Sequence, residues 1–251
     1  MNKLKQALAA HRPQIGLWQA LANAYTAEIC AGAGYDWLLF DGEHAPNTIQ
    51  TLLAQLQAVK AYPVEAVARP PVGDPVLIKQ YLDIGFRSLI IPMVESVQQA
   101  QMLVSATRYP PHGNRGVASA ISRAAGFGAN AKYLENTHEN ICLILQIESA
   151  AGLKAIDDIA ALDGVDGLFI GPSDLGASLG HLGNAGHPDV QNEISSALAR
   201  IRKAGKAAGI FATSAEAAKR YAEAGACMIS VGTDLNLLLD GVSKLRKSVS
   251  L

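Results

Sequence analysis

Two carboxylates, Glu148 and Asp174, stand one strand–helix–strand unit apart within residues 141–176, ICLILQIESAAGLKAIDDIAALDGVDGLFIGPSDLG. Each comes just past an apolar run that should be buried. A lone acid is expensive to bury, and two close together need a cation or a shared proton. The pair therefore reads as the ligand set of a divalent metal held between neighbouring strands. Gln146, two residues before Glu148, lies on the same strand face, and Ser173 immediately precedes Asp174. Each acid has a plainer reading beside this one: either could serve as a helix cap or a first-turn acid favoured by the helix dipole.

Three further groups sit at corresponding places. Residues 40–47, FDGEHAPN, put Asp41, Glu43 and His44 directly after an apolar run. An imidazole there has a proton affinity suited to general acid–base work near neutrality, with Asp41 or Glu43 to orient it; the alternative is a surface histidine. Arg69 precedes Pro70-Pro71, which hold the backbone extended. Its guanidinium could clamp a carboxylate bidentately or stabilise a developing oxyanion, or else close a rim salt bridge. Trp18 and Phe211 are candidate walls of a substrate pocket. All eleven lysines fall in predicted helices, in the N-terminal segment or in residues 109–139. Schiff-base chemistry needs a lysine near a strand end, so a carbanion here calls for metal stabilisation.

These groups need elements to position them. Short β-branched or aromatic runs at 15–18, 37–40, 65–68, 88–91, 142–147, 167–170, 209–212 and 228–231 alternate with amphipathic stretches at 25–33, 48–61, 75–84, 97–107, 150–161, 189–207, 215–224 and 235–247. Eight strand–helix repeats in this length predict one (β/α)8 TIM barrel over residues 1–251, an α/β fold with its functional groups at the carboxyl ends of the strands. A doubly wound open sheet is the competing architecture. Residues 109–139 break the rhythm: they are too long for a helix-to-strand loop and read as an insertion, either a lid or an oligomer contact.

The 251 residues are 49% hydrophobic and 17% charged, with a formal net charge of −1, which suits one soluble domain of barrel size and gives no reason to expect nucleic acid or an anionic membrane as a partner. No apolar run is long enough to cross a bilayer, and the N-terminus carries no secretory pattern. Cys30, Cys142 and Cys227 are far apart in sequence and read as core residues in a reducing, cytoplasmic compartment.

Taken together, FDGEHAPN at 40–47, VARP at 67–70, RYPPHGNRG at 108–116, LQIES at 145–149 and GVDGLFIGPSDLG at 164–176, with IGLW at 15–18 and VGTD at 231–234, resemble the HpcH/HpaI family of metal-dependent (class II) 2-oxo-acid aldolases. The resemblance implies metal binding by Glu148 and Asp174 (Mg2+ or Mn2+, with Co2+ as a further candidate) and substrate contact through Gln146, Ser173, Asp174 and Arg69. It implies a catalytic His44, a transition-state-stabilising Arg69, and an Asp83 that raises the basicity of the histidine, within a subunit or across an interface. The implied reaction is reversible aldol cleavage of 4-hydroxy-2-oxo acids to pyruvate and an aldehyde. The implied assembly is a homohexamer, a trimer of dimers, with 109–139 and the last helix as contacts. A citrate-lyase-β or malyl-CoA-type acyl-CoA lyase is the alternative chemistry. Ser173 and Phe211 depart from the family type, which has Ala and Leu there, so the aldehyde is open.

Overall fold

The computed structural model describes residues 2–249, without the side chain of Asn136. Eight parallel strands close into a barrel in sequential order: β1 (Gln14–Gln19), β2 (Trp37–Asp41), β3 (Glu65–Arg69), β4 (Ser88–Ile91), β5 (Cys142–Ile147), β6 (Gly167–Ile170), β7 (Ala207–Phe211) and β8 (Met228–Thr233). The open-sheet alternative is thereby excluded. The helices are α1 (Lys3–Ala9), α2 (Ala24–Ala31), α3 (Ile49–Ala58), α4 (Pro75–Ile84), α5 (Val97–Thr107), α6 (Tyr133–Asn140), α7 (Ala150–Ala160), α8 (Pro172–Ser178), α9 (Pro188–Lys203), α10 (Ala215–Glu223) and α11 (Asp234–Ser248).

Strand alternation sorts the apolar residues into two cores. On β2, Trp37 and Leu39 point into the barrel, while Leu38 and Phe40 point out to the helices. The inner core is Trp18, Trp37, Leu39, Val67, Ile90, Ile144, Phe169 and Met228, stoppered at the amino end by Leu4 and Leu8 of α1. The bulky rings need room from their neighbours: a Cβ on Gly16 would lie 2.2 Å from the Trp37 ring. The same parity, carried two residues on from Leu39, Val67 and Ile144, turns Asp41, Arg69 and Gln146 inward at the carboxyl end. Glu148 follows by one more step. The period-2 pattern that builds the core thus also aims the polar groups.

Three expectations change. Helix α1 was not foreseen; it seals the barrel because Asn2 Nδ2 donates to Ser88 Oγ (2.9 Å) and Lys5 Nζ to the Ile141 carbonyl (2.7 Å). The sixth long helix stops at Lys203, and β7 starts at Ala207. Lys206 therefore lies outside the helix, although its Nζ caps the carbonyls of Leu162 and Val165 at the amino end, far from the chemistry. Finally, residues 109–139 are not a lid over their own barrel mouth. Arg123 Nη1 donates to the Ile84 carbonyl (2.8 Å) and Arg115 Nη2 to Asp83 (2.6 Å), both at the end of α4 remote from the mouth.

Candidate active site

The carboxyl ends of β1, β2 and β3 build an arginine clamp. Asp41 and Arg69 are register partners on β2 and β3. Arg69 donates Nε to Asp41 Oδ1 (2.9 Å) and Nη2 to Oδ2 (2.7 Å), a bidentate pair. Its Nη1 lies 2.8 Å from Glu43 Oε2, a close ion pair. The guanidinium carbon sits 5.0 Å over the Trp18 ring, whose Nε1 donates to Asp41 at 3.2 Å. Burial alone would raise the Asp41 carboxyl, but the hydrogen bonds and charge of Arg69 outweigh it and hold the group below the ordinary carboxylate range. Asp41 also accepts the Glu43 and His44 amides, bending the chain so that both side chains return over the mouth. His44 is exposed, with its Nε2 3.8 Å from Glu43.

Across the mouth, β5 and β6 carry the acids. Ser149, not Glu148, caps α7, accepting the Gly152 amide at 3.1 Å. The capping reading of Glu148 therefore falls: its side chain is 3% exposed and turns into the barrel end. Glu148 Oε1 accepts the Met93 amide (2.9 Å), and Gln146 Nε2 donates to Oε2 (2.5 Å). Met93 adopts φ 54, unusual for a side chain with a Cβ, and this aims the amide. A Cβ on Gly171 would lie 2.4 Å from Glu148 Oε2, so a side chain there would push the Glu148 carboxylate out of this position. Asp174 lies in the first turn of α8, favourable for the dipole, and is exposed, as is Ser173 beside it. The first-turn reading of Asp174 therefore holds, while the helix cap itself is Gly171.

Glu148 is pushed up to about 7, first by burial and then by the charges of Glu43 and Asp174, with the Met93 and Gln146 hydrogen bonds opposing. Burial also raises Glu43, against Arg69 and His44 and with Asp41 and Asp174 adding to the effect. Three carboxylates therefore share one electrostatic field, while the arginine of that field is divided between Asp41 and Glu43. Such a donor set fits a hard divalent cation. Gln146 Oε1 is buried without a protein partner, as expected of an acceptor facing a bound group.

Phe211 ends β7 and packs edge-on against Trp18 (5.5 Å), forming the apolar wall. The structure thus brings together Trp18, His44, Arg69, Gln146, Glu148, Ser173, Asp174 and Phe211. It places Asp83 elsewhere, at the last turn of α4 on the amino-end side of the barrel, paired with the fully buried Arg115. Sequence reasoning gave Glu43 only the task of orienting His44; it is also the third acid of the field. Asp234, just past β8, accepts the Ala20 (2.7 Å) and Leu21 (3.2 Å) amides and anchors the β1 loop.

Comparison with known proteins agrees with this geometry. Residues 14–241 match the model of the HpcH/HpaI aldolase/citrate lyase family. A hydroxypyruvate/pyruvate aldolase of Deinococcus radiodurans is 57% identical over 247 residues, 98% of this chain and 89% of the relative. A 4-hydroxy-2-oxo-heptane-1,7-dioate aldolase of Klebsiella pneumoniae is 50% identical over 97% of this chain and 92% of the relative. The crystal structure of an HpcH/HpaI aldolase/citrate lyase family protein from Burkholderia cenocepacia superposes with a TM-score of 0.96 at 44% identity, covering 99% of both chains.

Proposed function

We propose that this chain, which belongs to the HpcH/HpaI aldolase/citrate lyase family and is a carbon–carbon lyase, is a class II pyruvate aldolase that reversibly cleaves 4-hydroxy-2-oxo acids to pyruvate and an aldehyde. The observation that carries this reading is the buried Glu148, held by the Met93 amide and Gln146 in one field with Asp174 and Glu43, on the far side of the barrel mouth from the Arg69–Asp41 pair.

Glu148 and Asp174 would hold a divalent cation, Mg2+, Mn2+ or Co2+. When bound, it supplies Lewis acidity toward the oxygens of a 2-oxo acid, easing removal of a proton from the neighbouring carbon. The protein's own groups do the rest. Gln146 and Ser173 orient the oxo-acid end. Arg69, locked by its fork onto Asp41, keeps N–H groups beyond those its acids use and directs them at developing negative charge, so little reorganisation is needed at the moment of reaction. In cleavage His44, directly or through water, takes the proton of the 4-hydroxyl as the C3–C4 bond breaks; in synthesis it returns that proton. Trp18 and Phe211 exclude water and shape the aldehyde side.

Association follows as part of the same reading. Leu237, Leu238, Leu239, Val242 and Leu245 of α11 are all exposed in one chain, which supports burial against further copies in a cytoplasmic homohexamer (a trimer of dimers). Residues 109–139 are the other proposed contact, and Asp83 of α4, paired with Arg115 of that segment, serves the His44 of a neighbouring copy rather than its own. Light scattering should give six copies, and a monomer would count against this part. The chemistry is tested by following pyruvate release from a series of 4-hydroxy-2-oxo acids before and after EDTA treatment, with CoA thioesters as a parallel series. Release that is abolished by EDTA and restored by Mg2+ or Mn2+ is expected. Undiminished release in EDTA, or turnover confined to the thioesters, would overturn it.

A further inference from the structure

The loop joining α8 to α9, with the first turn of α9, gathers a second set of side chains of metal-ligating type, distinct from Glu148 and Asp174. His181 Nε2 lies 3.7 Å from Asp189 Oδ2, and His187 Nδ1 lies 3.6 Å from the same oxygen. The two imidazoles stack with centroids 3.7 Å apart and planes 15° from parallel. One ligand atom from each of the three residues lies within 4.8 Å of the other two. In a tetrahedral site with bonds of about 2.0–2.1 Å, ligand atoms stand roughly 3.4 Å apart. Two of the three separations here are already within a few tenths of an ångström of that value.

The loop is not a loose excursion. His181 N–H donates to the Gly176 carbonyl (2.8 Å), and Gln191 Nε2 to the Ala185 carbonyl (2.7 Å), folding the segment back onto the helices it joins. His187 is the N-cap of α9, its Nδ1 accepting the Asp189 amide at 3.2 Å. Both histidines are partly buried and Asp189 is exposed, so the cluster is reachable from solvent.

We propose that His181, His187 and Asp189 form a second divalent-metal site, which takes a borderline transition-metal ion such as Zn2+ rather than Mg2+. Two imidazoles with one carboxylate suit Zn2+, Co2+ or Ni2+, whereas Mg2+ is held by carboxylates and water. The parallel rings send their lone pairs in parallel, so binding turns at least one imidazole out of the stack. Ligation by His187 through Nδ1, the atom 3.6 Å from Asp189 Oδ2, takes that nitrogen from the Asp189 amide, and the negative charge of Asp189 offsets the positive end of α9. Three protein ligands leave a fourth position for water. The bound ion would tie the exit of α8, whose first turn carries Asp174, to the start of α9.

The proposal stands on this cluster alone and does not depend on the reaction at the barrel mouth. The test is Zn2+ binding to the full chain, stripped with EDTA and then held in millimolar Mg2+ to saturate hard-acid sites, read against a chromophoric chelator. One Zn2+ per chain is expected for the wild type and for Glu148→Gln. His181→Ala and His187→Asn, the latter retaining a capping side chain, should each weaken binding more than about 100-fold, beyond the loss caused by an outer partner. Thermal melts identify any variant that fails to fold, and Cu2+ loading with electron paramagnetic resonance gives a second readout. Nitrogen couplings from two imidazoles in the wild type should fall to one in His181→Ala. The idea is overturned if the wild type binds no Zn2+ under these conditions, if Glu148→Gln loses it, or if both folded histidine variants keep it.

Discussion

The two ends of the barrel bury acids in opposite ways. At the amino end, Glu65 sits between Arg87 (3.0 Å) and Ser88 Oγ (3.3 Å). Asp166 is held by Lys5 (3.1 Å) and the Leu143 amide (2.8 Å). Burial raises both, and the cations beside them pull back. At the carboxyl end burial also raises Glu148, but there the neighbouring charges are Glu43 and Asp174, which push the same way. One end pairs its acids with the protein's own cations; at the other, Arg69 is taken up by Asp41 and Glu43, and Glu148 is left beside two further acids. On the proposed function, stability is built at the first and chemistry at the second, because a field that attracts a metal makes its apo form costly.

The sharpest test of this contrast is Glu148→Gln. Losing a metal carboxylate while keeping shape should lower aldol cleavage at saturating Mg2+ by more than about 1,000-fold, on the scale of removing a principal electrostatic stabiliser, whereas Asp166→Asn at the sealed end should leave kcat unchanged. Comparable losses from both would dissolve the distinction. Next in size, Arg69→Lys keeps the charge but loses the fork onto Asp41, and kcat should drop by about 100-fold with circular dichroism unchanged.

A pH series sharpens the comparison further. Metal binding needs Glu148 as the carboxylate, so apparent Mg2+ affinity should fall about tenfold per pH unit below about 7 and be recovered by added metal. The sign reverses for metal-free stability. A carboxyl raised in the fold from 4.5 to about 7 contributes stability below pH 4.5 that is lost as pH climbs to 7, about 3 kcal/mol for a shift of this size. Metal-free Glu148→Gln should therefore melt a few degrees higher than wild type at pH 8 and no higher at pH 4. Asp166→Ala should do the opposite, leaving the Leu143 amide and Lys5 without their partner and costing about 1–3 kcal/mol in chemical denaturation. The smallest effect belongs to Phe211→Leu, which should shift preference among aldehydes by roughly tenfold through the apolar wall against Trp18 while leaving pyruvate affinity alone.

Much of the site was legible because a strand repeats every two residues. Given apolar runs ending at Phe40, Ala68 and Ile147, the polar groups that follow must emerge at one rim of a parallel barrel, whatever the details of packing. The pairing of Gln146 with Glu148 needs no more than that parity. What the pattern left ambiguous was local competition for the same residue. Glu148 and Ser149 are both acceptable caps on α7, and only the folded chain shows the hydroxyl taking the amide.

The amino-acid sequence by itself determined the barrel, the rim on which chemistry gathers and the absence of a strand-end lysine, since these follow from composition and from periodicity along the chain. Tertiary structure alone decided which charges feel one another. Glu43 shares the field of Glu148 and Asp174 because the closed barrel brings β2, β5 and β6 around one mouth. Asp83 lies far from its own His44 because α4 runs from the mouth to the other end and pairs it there with Arg115. Electrostatic coupling falls with distance through space and takes no account of distance along the chain, so no reading of spacing could have assigned those partners.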